Sequence, residues 1–295
     1  HYSLNFDALS PVPSHHAGKL VLGGYDIMVQ RWIIADAKGT VVIVHGYYDH
    51  IGLYRTLIDF CLRQQLNVVA FDLPGHGLSS GEPASISDFQ EYDDVFSEIV
   101  THLVQSISVT DTDNDPSAKH PLYAFGQSTG GAILINYLLK RQATVETSPF
   151  KDVILLAPLV RPAGWNKGRF LHPVLRYFKQ QLKRKPGESS SDLDFLTFVR
   201  ENDPLQSIYL SVRWVGAMLR WVRFIEAQPS IDHPLLVIQG DQDATVDWRH
   251  NLQVIADKFS PSEQWILTGG RHHLVNETES LRAQMYERIA KRLNT

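Results

Sequence analysis

Five short apolar runs constrain this chain most: Thr40–Val44 (TVVIV), Asn67–Phe71 (NVVAF), Pro121–Phe125 (PLYAF), Asp152–Leu156 (DVILL) and Leu235–Gln239 (LLVIQ). None alternates strictly between apolar and polar residues, so each reads as a strand covered on both faces, as in a parallel sheet. Helical periodicity fills the intervals. Leu53, Leu57 and Phe60/Cys61 predict a helix over 52–65. Phe89, Val95/Phe96, Ile99/Val100 and Leu103 predict one from Ser87 to about Ser108, and a third is expected over Thr129–Arg141. Lys19–Leu22 and Asp26–Ile34, around Gly23-Gly24, read as an antiparallel opening pair, and Gln264–Leu267 (QWIL) as a last strand. Strand and helix in alternation predict an α/β fold with a mostly parallel, eight-stranded sheet flanked by helices.

The rhythm breaks once. From Arg161 to Ile231 no strand of that type occurs, and the stretch is too long for a plain connection. It reads as a helical cap, or lid, inserted after the sixth strand at 161–231, with 1–160 and 232–295 forming the core. Its apolar residues include Trp165, Phe170, Leu171, Trp214, Met218, Leu219, Trp221 and Phe224. Much of this set must pack the cap onto the core. Trp165, Trp214, Met218 and Trp221 are the candidates for lining an apolar substrate pocket.

A net charge of −4 with no long basic tract argues against a nucleic-acid partner. The single cysteine, Cys61, rules out an intrachain disulfide and fits a reducing compartment. No apolar run is long enough to span a bilayer. The chain begins at His1, so an upstream start removed by trimming or processing is expected. HYSLNFDALSPVPSHH shows no signal-peptide pattern. A cytoplasmic location is the expectation, with a removed N-terminal signal as the alternative. DTDNDPS (111–117) resembles a calcium loop only superficially, lacking the glycine after Asp115 and a closing glutamate, and His15-His16 reads as a solvated pair. No metal or organic cofactor is expected.

Gly126-Gln127-Ser128-Thr129-Gly130 follows a strand and opens a helix. In that context G-x-S-x-G makes a sharp turn that projects a serine hydroxyl from the carboxyl edge of the sheet. The helix N-terminus behind it favours an oxyanion. A serine needs a base to take its proton and a carboxylate to orient that base, in the chain order Ser, acid, His on such a fold. Gly240-Asp241-Gln242-Asp243 follows LLVIQ, and Gly269-Gly270-Arg271-His272-His273 follows QWIL, so both loops leave the edge that carries Ser128. His45-Gly46-Tyr47, after TVVIV, can aim a backbone N–H at the same place, with Thr129 N–H as the other oxyanion donor. A helix N-cap is the plain alternative for Ser128, and bracing of a turn is the expectation for His45.

With these elements in hand, the chain resembles the α/β-hydrolases, and within them the monoglyceride lipase and lysophospholipase branch grouped with serine aminopeptidase-like hydrolases. HGYYDH (45–50), FDLPGHGLSSG (71–81), GQSTGG (126–131), GDQDATV (240–246) and GGRHHLVNE (269–277) carry the resemblance through most of the core. It implies Ser128 as nucleophile, Asp243 as acid with Asp241 as fallback, and His272 as base in preference to His273. Tyr47 and Thr129 fall at the oxyanion positions, and Asp72 and His76 at fold-bracing ones. The implied activity is cleavage of carboxylic esters through an acyl-enzyme, by a lysophospholipase or monoacylglycerol lipase-like serine esterase acting on a small-molecule or lipid ester. Lys179, Lys183, Arg184 and Lys185 either face an anionic membrane surface transiently or form a solvated loop. A small-ester esterase, a carbon–carbon-bond hydrolase and a ligand-binding receptor on the same fold are the alternatives. A peptidase of the proline-iminopeptidase kind is another, although HGYYDH lacks its usual HGGPG word.

Overall fold

The computed structural model describes residues 2–110, 120–184 and 187–294, apart from the side chains of 107–110. Its main sheet has eight strands in the order β1-β2-β4-β3-β5-β6-β9-β10. These are β1 (Ser14–Leu22), β2 (Tyr25–Ile33), β3 (Gly39–Val44), β4 (Leu66–Phe71), β5 (Leu122–Gln127), β6 (Phe150–Leu156), β9 (Leu235–Gly240) and β10 (Ser262–Leu267). β2 runs antiparallel to both neighbours, and all the other pairs are parallel. The expected architecture is the observed one.

β3 shows why the apolar runs do not alternate. Val41 and Ile43 face a layer containing Leu57 of α1 (Arg55–Arg63) and Met285 of α8 (Glu279–Leu293). Val42 and Val44 face α2 (Phe89–Thr110), α3 (Thr129–Arg141), α6 (Val212–Ala227) and α7 (Trp248–Lys258). All six residues of β3 are buried, as the two helical layers require.

Two boundaries differ from the sequence reading. β1 starts at Ser14, well before the predicted Lys19, although eight of its nine residues are exposed. Backbone pairing with β2 holds this edge strand, so side-chain burial left no pattern to read. The helix expected over 52–65 is a 3₁₀ turn, Ile51–Tyr54, leading into α1.

The insertion after β6 comprises α4 (Trp165–Phe178), β7 (Gln181–Lys183), α5 (Leu193–Thr197), a π turn (Phe198–Asn202), β8 (Tyr209–Ser211) and α6. β7 and β8 form an antiparallel ribbon where the sequence predicts helical segments and a loop over 183–192. Three-residue strands are too short to carry a period of two. The insertion is pinned to the core at both ends. Ala163 N–H donates to the Thr245 carbonyl at 2.9 Å, Pro162 bridges to Val246, and Ile231 bridges to Phe259.

The chain leaves β3 toward one edge of the sheet and returns as β5 on the other side of β3. Such a switch point opens a crevice at the carboxyl ends of the two strands.

Candidate active site

Ser128 stands in that crevice, at the corner between β5 and α3, with φ +52° and ψ −112°. A non-glycine residue held there costs roughly 1–3 kcal/mol, so its surroundings must hold it. Its N–H donates to the Leu156 carbonyl at 2.9 Å, and its carbonyl accepts from Ala132 at 3.1 Å and Leu159 at 3.0 Å. Two neighbours must lack side chains. A Cβ on Gly126 would lie 2.6 Å from the Gly130 carbonyl carbon, and one on Gly130 would lie 2.0 Å from the Val44 oxygen. The first turn of α3 therefore rests directly on the end of β3. Ser128 occupies the N-cap position of α3, yet its hydroxyl makes no capping bond.

That hydroxyl lies 2.9 Å from His272 Nε2, and His272 Nδ1 lies 2.8 Å from Asp243 Oδ2. All three side chains are buried. Nδ1–H donates to the carboxylate, which leaves Nε2 as acceptor for the serine proton. Asp243 is well supplied with donors. Gln239 Nε2 reaches Oδ2 at 3.0 Å, and the Thr245 and Val246 N–H groups reach Oδ1 at 2.8 and 3.2 Å. Burial pushes the Asp243 carboxyl up, but the charge and hydrogen bond of His272, with those from Gln239 and Thr245, outweigh it, and its pKa lies below the ordinary value. Gln127 Nε2 donates to the His272 carbonyl at 2.8 Å and fixes the backbone beneath the ring. The sequence reading passed over Gln127 and Gln239. Their signal was a polar amide at the end of an apolar strand, which demands a partner once buried.

The neighbouring candidates face elsewhere. His273 turns away from Ser128, with Nε2 3.1 Å from Asp49 and its ring 4.9 Å from that of Phe195. Asp241 accepts from Gly269 N–H at 2.8 Å and braces the loop after β10. His45 donates from Nδ1 to the Gly46 carbonyl at 2.7 Å and accepts at Nε2 from Leu73 N–H at 2.9 Å. Burial first, then the neighbouring His76, lowers its pKa to about 3 and keeps it neutral. Asp72 accepts from Ile51 and Leu78 N–H, each at 2.8 Å, and His76 pairs with the Pro74 carbonyl at 2.9 Å. These three residues brace loops.

The turn after β3 abuts Ser128: a Cβ on Gly46 would lie 3.3 Å from Ser128 Cβ. Asp49 and the Tyr54 hydroxyl both accept from Gly46 N–H, at 3.2 and 3.0 Å, and hold the turn. Tyr47 follows, with its hydroxyl 2.6 Å from the Ala84 carbonyl and its ring stacked on Trp214 at 3.9 Å. Thr129, fully buried, opens α3 on the other side of Ser128.

The four candidate pocket residues separate. Trp214 touches the turn through Tyr47. Trp221 stacks on Phe89 at 4.6 Å and donates to Asn136 Oδ1 at 3.1 Å, which commits it to packing α6 on α2 and α3. Met218 is buried in the same layer. Trp165 is half-buried, with the Arg161 guanidinium 5.3 Å over its ring. Phe170 and Leu171 of α4 are exposed. Of the basic cluster, Lys179 and Lys183 are exposed, Arg184 is half-buried, and Lys185 lies outside the described residues, as does the acidic stretch 111–117. Among the described residues no group of three or more His, Cys, Asp or Glu side chains is placed to hold a metal ion, and no helix is long and apolar enough to cross a membrane.

The chain as a whole resembles known proteins. The chain is 25% identical to a monoglyceride lipase of Rattus norvegicus over 255 residues, which is 81% of this chain and 77% of the relative. It is 27% identical to phospholipase YtpA of Bacillus subtilis over 261 residues, which is 84% of this chain and 93% of the relative. Its backbone matches a soluble variant of monoglyceride lipase from Saccharomyces cerevisiae, solved with a substrate analogue, at a TM-score of 0.75 and 21% identity, covering 96% and 94% of the two chains. A monoacylglycerol lipase of Paleococcus ferrophilus matches at 0.72 and 20%, covering 95% of this chain and 98% of that one. The family model described as serine aminopeptidase, S33, matches residues 35–279. With that match spanning most of its length, on an α/β-hydrolase fold, the chain belongs to the S33 serine aminopeptidase family.

Proposed function

We propose that this chain hydrolyses lipid carboxylic esters through an acyl-enzyme, with Ser128 as nucleophile, His272 as base and Asp243 as its orienting acid. The observation that carries this reading is the unbroken hydrogen-bonded chain from Ser128 Oγ through His272 to Asp243, at 2.9 and 2.8 Å. Ser128 Oγ attacks the ester carbonyl as His272 Nε2 takes its proton. Asp243 steadies the imidazolium. The Tyr47 and Thr129 N–H groups hold the tetrahedral oxyanion, aided by the α3 N-terminus. The carbon–oxygen bond to the alcohol breaks, and the alcohol leaves with the proton from His272. Water then gives its proton to His272, adds to the acyl carbon and releases the acid, and the proton returns to Ser128.

Substrates of the monoacylglycerol or lysophospholipid class fit the names of the relatives, which are lipases and a phospholipase. Segment 161–231 serves as the cap. The outer face of α4, with Phe170, Leu171, Val174, Tyr177 and Phe178 exposed beside Arg169, Arg176 and Lys179, suits transient contact with a lipid surface.

The test is hydrolysis of p-nitrophenyl esters of increasing chain length, beside fluorophosphonate labelling of the wild type and Ser128→Ala. Activity that peaks on long acyl chains, with labelling and at least about 10⁴-fold of kcat lost in Ser128→Ala, is expected. Turnover that survives Ser128→Ala would sink the mechanism. Activity confined to acetate and butyrate would sink the lipid substrate class.

A further inference from the structure

Arg184, just after β7, differs from the other cations around it. Its guanidinium carbon sits 3.9 Å over the Tyr48 ring. Nη1 donates to Gln206 Oε1 at 2.8 Å, and the backbone N–H donates to the Ile208 carbonyl at 2.9 Å. Among the described residues no carboxylate lies within ion-pair distance of it. Burial lowers its pKa, and the nearby Tyr48, Asp49 and Tyr47 oppose that shift. A guanidinium carries five N–H donors in one plane. Stacking on a ring occupies the face and leaves the edge open. One bond to a neutral amide uses only part of that edge, and the side chain is half-buried.

Its position gives the charge a use. Tyr48, at φ +73°, follows Tyr47 in the turn that abuts Ser128. Further along the segment that carries Arg184, the Ser189 carbonyl accepts from His273 N–H at 2.6 Å, and Glu188 pairs with Arg271 at 2.7 Å. Arg184 therefore packs on the turn beside Ser128, while Glu188 and Ser189, a few residues further along the same segment, contact the loop that carries His272. The guanidinium thus rests on a residue of the turn that abuts Ser128.

We infer that Arg184 recognises the headgroup, its open N–H edge binding the phosphate of a lysophospholipid whose ester carbonyl lies at Ser128. The inference rests on the ester-hydrolase reading and narrows it. The glycerol of a lysophospholipid joins the scissile ester to a phosphodiester, whereas the headgroup of a monoacylglycerol offers only neutral hydroxyls. A fork of N–H donors matches phosphate oxygens in pairs.

The experiment compares octanoyl lysophosphatidylglycerol with 1-octanoylglycerol, both kept monomeric so that surface charge plays no part. The wild type should favour the phospholipid. Arg184→Gln should lower the phospholipid-to-glyceride ratio of kcat/KM about tenfold, chiefly through KM, and Arg184→Lys should recover part of it. A ratio that Arg184→Gln leaves unchanged overturns the inference. Glycerol 3-phosphate is the competitor that separates sources: if it inhibits only when Arg184 is present while the ratio stays put, the residue serves free phosphate and the inference falls. Binding of the uncleavable octyl ethers keeps the two readings apart. Should neither ester turn over, the hydrolase reading fails. Tighter binding of octyl glycerophosphate than of octylglycerol, lost in Arg184→Gln, would still support the headgroup site, and equal binding would overturn it.

Discussion

α4 and α6 belong to the same insertion and are both rich in aromatic and aliphatic side chains, yet they meet opposite fates. α6 buries Trp214, Ala217, Met218, Trp221, Val222 and Ile225 in the layer that covers the sheet. α4 buries none of its residues, and Phe170, Tyr177 and Phe178 are each more than 70% exposed. The difference separates two duties. α6 is a structural post, part of the same packed interior as β3 and α3. α4 contributes little apolar burial to folding, so its side chains are free to be selected for what they meet outside.

The sharpest way to break this contrast is Trp214→Ala. Removing a buried indole should cost about 3–5 kcal/mol of stability. It should also lower kcat on short and long esters alike, because Tyr47 loses the ring it rests on at 3.9 Å. Urea unfolding and a chain-length series check both points, and a stable variant with normal kcat would mean that α6 is no post. Next comes Gln239→Leu, which acts within the buried frame. Its amide favours ionised Asp243, so its loss raises that pKa and the carboxylate neutralises at higher pH. The acid limb of the kcat/KM profile should move upward, with about a tenfold loss at neutral pH. An unmoved limb would show that the amide only fills space. The smallest effect on the fold belongs to Phe170→Ser with Phe178→Ser. Stability should change by no more than about 0.5 kcal/mol, since both rings already face solvent. Sedimentation with anionic vesicles should nevertheless fall, and undiminished sedimentation would remove α4 from any membrane role.

The same contrast marks what the sequence could and could not reveal. The sheet was legible because each central strand is buried on both faces, so TVVIV or LLVIQ has one plausible home. The Ser128 corner was legible because a strand, three glycines and a helix leave that turn few alternatives. Within the loops, legibility stopped. His272 and His273 are adjacent, and only the path of the loop sends one to Asp243 and the other to Asp49. In the insertion, the sequence showed which aromatic and aliphatic residues were there but not what covers them. Trp221 was equally readable as a pocket wall or as packing, and its bond to Asn136 depends on a contact 85 residues away in sequence. The β7–β8 ribbon left no trace because backbone pairing holds it.

The stack of Tyr47 on Trp214 also bears on ancestry. It joins a residue of the core turn to a residue of the inserted segment, so the two are not interchangeable modules. A chimaera that receives a relative's insertion but keeps Tyr47 would set a phenol ring against a surface never shaped for it. Positions 47 and 214 should therefore drift as a pair among descendants of this fold, and a successful transplant must carry both.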